Sequence, residues 1–204
     1  VVFRHSAGGC AVFEGKRVRD DAWPILLSAK QPLVGEIMAK IAEMENHTGI
    51  DLRKFDQVAV GVSFKQISAK ETDYEPVAIA NGDISAGALI AVARLASNGT
   101  YREETISGRQ VYIFTPKDIA KKTTAKKVNS KVADTIDHAL NEMTKEFAVT
   151  AIDEHTLAVG SLPRIRETLL GQSHVSAELA GLLSPRETTV ASFAMVTPEG
   201  MEKM

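Results

Sequence analysis

The chain has 204 residues, 44% of them hydrophobic, 25% charged and 5% aromatic: enough apolar material for one substantial core, too little length for three domains. A formal net charge of −2 argues against a dedicated nucleic-acid binder, whose electrostatic footprint would be strongly basic. The one cysteine, Cys10, excludes an intrachain disulfide and any multi-cysteine zinc site.

The first residue is Val1 rather than Met, as in a processed form or an excised segment. Small residues precede Cys10 as in a lipoprotein leader, but Arg4 and His5 break the apolar run such a leader needs. The opening therefore reads as a loop around a small buried or half-buried thiol. No window offers the roughly 18–20 consecutive apolar residues of a membrane helix, the nearest being broken by Arg94 and Asn98.

In chain order, Cys10 to Val18 is expected to form an edge strand. Trp23-Pro24 and Gln31-Pro32 read as helix entries, because proline suits the first helical turn. Leu33, Val34, Ile37, Met38, Ile41, Ala42 and Met44 follow the spacing of one helical face, which Gly49 closes. Asp56 to Phe64 alternates like a half-buried strand, and Pro76 to Ala80 forms a second that stops at Asn81-Gly82-Asp83. Asp83 or Ser85 then caps a helix that runs to Asn98-Gly99. Tyr101–Ile106 and Gln110–Thr115 form one hairpin, Phe147–Ile152 and His155–Gly160 another. Pro163 opens a helix ending at Gly171, another lies near Ser176 to Leu183, and a last strand covers Thr188 to Val196.

Between the hairpins, 116–146 reads as a lysine-rich helical insertion. Six lysines over 116–131 lead into an amphipathic stretch of Val128, Val132, Ile136, Leu140 and Met143 with acids among its later residues, an order that opposes the helix dipole. The lysines are therefore expected to form a solvated lead-in. Lys121, Lys122, Lys126 and Lys127 are the candidate contacts for an acidic partner or anionic surface, although the segment lacks the aromatics and arginines of a nucleic-acid site.

Gly49-Ile50-Asp51 with Asp56-Gln57-Val58-Ala59-Val60-Gly61, the Asn81-Gly82-Asp83-Ile84 turn, the Tyr101–Tyr112 hairpin, and Asp153-Glu154-His155-Thr156-Leu157-Ala158-Val159-Gly160 occur in a distinctive order. Together they resemble a family of uncharacterised, predicted exported bacterial proteins, over roughly residues 20 to 185. The family's motifs are structural, so the resemblance implies no catalytic residues. It implies export, and it makes Thr188 onward look like the first strand of a second copy of the unit. The chain departs from the family at Ser107-Gly108-Arg109, where a lysine-glycine turn is usual, and in the length of its lysine segment.

Signatures of familiar chemistry are missing: no G-x-S-x-G elbow, P-loop, dinucleotide fingerprint or H-E-x-x-H helix occurs. Ser63 and Lys65 share a strand face and define a weak hydrolase reading. Asp134, Asp137 and His138 read as a solvated helix face, and Asp153 to His155 as turn chemistry.

The expected fold is α+β: a mostly antiparallel sheet of six or seven strands with helices packed on one face, filling 1–185, then a final strand in 186–204. No catalytic group, cofactor or metal is assigned. The leading expectation is a non-enzymatic exported binding or structural module, with a protein partner or homo-oligomer rather than nucleic acid. The alternative is an interaction domain working through the lysine segment.

Overall fold

A computed structural model describes residues 8–22, 50–68, 71–115, 146–172 and 189–196, with isolated positions between 25 and 46 and at 183. The elements are β1 (Gly8–Phe13), a helical turn α1 (Gly15–Arg17) continued by a π-helical turn (Val18–Ala22), β2 (Phe55–Ser68), β3 (Glu71–Gly82), α2 (Ala86–Ala96), β4 (Arg102–Ile106), β5 (Arg109–Phe114), β6 (Phe147–Ala151), β7 (Thr156–Ser161), α3 (Leu162–Leu169) and β8 (Ala191–Val196).

The eight strands among the described residues join one sheet in the order β4-β5-β6-β7-β3-β2-β1-β8, every neighbouring pair antiparallel. The antiparallel α+β architecture read from the sequence is thus present, with more strands than expected. Cys10 to Val18 is not an edge strand. β1 stops at Phe13 and lies between β2 and β8, while the backbone from Gly15 onward turns helical. Gly15 permits this turn: a Cβ there would sit 2.2 Å from the Phe55 carbonyl oxygen. β8 completes the sheet against β1, pairing Cys10 with Ala194 and Ala11 with Phe193.

The expected placement of the helices on one face is also corrected for the two described between the strands, α2 and α3. Strand alternation divides the central strands into two sets. Val77, Val111, Ile113, Ala148 and Ala158 face α3, where they pack with Ile106, Leu162 and Ile165. Phe114, Val149 and Leu157 point the opposite way, into a second cluster with Ile84, Ala86 and Ile90 at α2. We call these the α3 face and the α2 face. Both surfaces of β5, β6 and β7 are therefore covered, and their sequences show it. Val111-Tyr112-Ile113-Phe114 and Leu157-Ala158-Val159 are unbroken apolar runs rather than alternations, the mark of strands buried on both sides.

Local chemistry sets the helix boundaries. The Ser85 side chain accepts a bond from the Ala88 N–H at 3.3 Å, capping α2 as expected. Asn98 and Gly99 take positive φ of 56° and 74° and reverse the chain into β4. Pro163 occupies the first turn of α3, where its missing N–H costs nothing. On the exposed flank, Arg166 grips both carboxylate oxygens of Glu104 at 2.8 and 2.7 Å, tying α3 to β4.

The helices expected over 33–49 and near 176–183 lie largely outside the described residues, as does the whole insertion 116–145.

Candidate functional site

Two features stand out. The first is a cleft beside α2. The β6–β7 turn is stitched to the start of that helix: the Ala86 N–H donates to the Glu154 carbonyl at 3.0 Å, and the Gly82 N–H to the His155 carbonyl at 3.3 Å. His155 Nδ1 lies 3.0 Å from the Ile84 carbonyl, and its backbone N–H donates to Asp153 Oδ1 at 2.8 Å. These bonds from His155 and Thr156 hold the Asp153 carboxyl below the usual carboxylate range.

At the other end of α2, the reversal at Asn98-Gly99 brings Tyr101 back beneath Arg94. Arg94 Nε donates to the Tyr101 hydroxyl at 2.7 Å. The guanidinium carbon stands 5.0 Å from the Tyr101 ring centre and 5.2 Å from that of Tyr112, so the cation contacts two aromatic rings. The Tyr101 bond, more than any other influence, keeps the guanidinium firmly protonated.

Between α2 and the two turns lies an open cleft of about 470 Å³, lined by Gly87, Ala91, Arg94, Arg109, Tyr112 and Asp153 among others. Its size falls in the range of small-molecule sites. Arg109, the first residue of β5, donates to the Ile152 carbonyl across its mouth. Gly87 and Ala91 leave the helix side open, since a Cβ built on Gly87 meets nothing within 4 Å.

The second feature is the outer half of the α2 face. There β8, β1, β2 and β3 present Phe193 (71% exposed), Met195 (52%), Phe13 (47%) and Tyr74 (61%) to solvent. The opposite face of the same strands is buried at Cys10, Ala59 and Ala194. Phe64 and Tyr74 pair across β2 and β3, ring centres 5.5 Å apart and edge to face. On β8, Phe193 and Met195 lie across from Ala11 and Gly9, small residues that leave them prominent. Contiguous exposed apolar surface of this kind marks interaction sites.

The residues singled out from the sequence are placed elsewhere or not at all. Lys121, Lys122, Lys126 and Lys127 lie outside the described residues, as do Asp134, Asp137 and His138. The ladder sets half-buried Ser63 opposite Glu75, on the face away from Arg94 and outside the cleft, and Lys65 in register with Asp73. Cys10 is buried, and burial pushes its thiol up, as the structural reading of that residue implied. Gly82 stands where the packing leaves no space for a side chain. A Cβ there would lie 2.1 Å from the Lys54 carbonyl oxygen.

Among the described residues, no helix is long and apolar enough to cross a membrane, and no three His, Cys, Asp or Glu side chains gather as metal ligands. Arg94, Tyr101 and Tyr112 escaped the sequence reading because their grouping depends on the α2–β4 reversal and on strand pairing. Comparison with family models, with curated proteins and with solved structures finds no match to this chain.

Proposed function

We propose that the protein is a non-enzymatic binding and structural module whose working surface is the uncovered half of the α2 face, and whose occupant is a second copy of the chain joined along β8. The observation that carries this reading is the contrast across one sheet. Four large apolar side chains are open to solvent on one side of strands whose other side is buried.

The identity of the occupant follows from the edge. Among the described residues no strand lies outside β8, so its outer row of N–H and C=O groups is available for pairing. Edge strands that resist pairing carry lysines, prolines or bulges. Ala191–Val196 contains no charged residue and no proline. Antiparallel β8–β8 pairing about a two-fold axis opposes no like charges, continues the sheet, and merges the two exposed apolar faces. The motifs shared with the exported bacterial family support an exported setting.

Light scattering coupled to size exclusion tests the reading. The wild-type chain is expected to be dimeric at about 100 μM, and Phe193→Glu with Met195→Lys to give a folded monomer, because both side chains stand in solvent and contribute little to the core. A monomeric wild type at that concentration, or a dimer that survives both substitutions, overturns it.

A further inference from the structure

We propose that the cleft beside α2 is a second, independent binding site, which takes a small carboxylate that also bears a hydrogen-bond donor, a free amino acid being the simplest such molecule. Arg94 is fixed in place before any ligand arrives. Its Nε is committed to the Tyr101 hydroxyl at 2.7 Å, and its carbon sits 5.0 and 5.2 Å from two tyrosine ring centres. This removes much of the rotamer freedom that an arginine ordinarily surrenders on binding. Its two terminal amino groups have no hydrogen-bond partner among the described residues, and the residue lines the cleft. With the Nε edge occupied, the end-on fork of those two groups is what remains, and it matches the two oxygens of a carboxylate.

Other walls narrow the ligand further. Arg109 adds a second positive charge, while its bond to the Ile152 carbonyl anchors it at the rim. Asp153 also lines the cleft, and its bonds from His155 and Thr156 keep it ionised. A bare inorganic anion would gain from the arginines and be repelled by this carboxylate. A molecule with an ammonium or hydroxyl beside its carboxylate satisfies all three groups. The apolar residues Ile90, Ala91 and Ile152 leave room for a modest side chain.

The test uses the whole chain, titrated with the free amino acids and followed by calorimetry. The best binder is then compared with its decarboxylated amine and its deaminated acid. The expected result is saturable binding below about 10 mM, weakened about tenfold or more in the amine. Arg94→Gln should weaken the amino acid to a similar degree. Gly87→Phe, a substitution with open space around its Cβ, should do so by filling the cleft, with the urea midpoint unchanged. The deaminated acid should bind several-fold more weakly than the amino acid, and Asp153→Asn should erase that difference. The proposal is overturned by an absence of saturable binding below about 10 mM, by wild-type affinity in both Arg94→Gln and Gly87→Phe, or by equal binding of the amino acid and its deaminated acid.

Discussion

The placement of α2 and α3 on opposite faces predicts how damage to their packing combines. Ile90 on α2 and Ile165 on α3 belong to separate clusters of buried residues with no member in common. Ile165 is fully buried, and Ile90 is 7% exposed. Replacing either by valine removes one methylene from a close-packed site, which costs about 0.5–1.5 kcal/mol. Against a total stability of about 5–15 kcal/mol, each variant stays folded and so does the pair. With a urea m-value of about 2 kcal/mol/M, each substitution lowers the midpoint by about 0.5 M and leaves the slope alone. Because the sheet separates the two sites, the double variant should lose the sum of the single losses to within about 0.5 kcal/mol. Ile165→Val combined with Ile113→Val, which lie in one cluster, should depart from additivity by more than that. The experiment is urea unfolding followed by circular dichroism. A coupling above about 1 kcal/mol between Ile90 and Ile165 would refute the two-faced packing. A loss below about 0.3 kcal/mol in either single variant would refute the burial assigned to it.

Gly160→Ala should destabilise by about 1–3 kcal/mol in the same assay, since its Cβ would come within 2.5 Å of the Pro76 carbonyl oxygen and 2.7 Å of Val77 Cα on the neighbouring strand. The Asp153 carboxyl is depressed in the folded state, so its contribution to stability is complete above the ordinary carboxylate value and fades as pH falls through its folded value. Asp153→Asn should therefore flatten the acid limb of the stability profile below about pH 4; an acid limb identical to wild type would show that the turn bonds do not discriminate the ionised form.

The legible parts of the fold were those governed by neighbours in sequence. The two hairpins, the cap at Ser85, the reversal at Asn98-Gly99 and the proline start of α3 each depend on a few adjacent residues, and the structure has them where the residue chemistry puts them. The first strand was misjudged at its C-terminal end: the apolar run stops at Phe13, before Glu14-Gly15-Lys16-Arg17, and the close approach of Gly15 to Phe55 turns the backbone away there. The candidate sites were less legible. Sequence reading singled out the lysines, and more weakly the Ser63–Lys65 pair, because those residues stand out locally. Arg94 looks like an ordinary helix-end cation until the chain reversal lays it against Tyr101 and strand pairing brings Tyr112 beside it.

Composition, turn residues and apolar spacing by themselves determined an antiparallel α+β chain, its hairpins and its helix ends, since those follow from conformational preferences within a few residues. Tertiary structure alone decided that β1 lies inside the sheet and that the two helices take opposite faces. It also decided which apolar residues stay uncovered and where a fixed guanidinium faces a cleft. Each of these depends on which strands become neighbours, and β3 pairing with β7 across the 73 residues between Gly82 and Thr156 is settled by the free energy of burying both sheet surfaces rather than by any local signal.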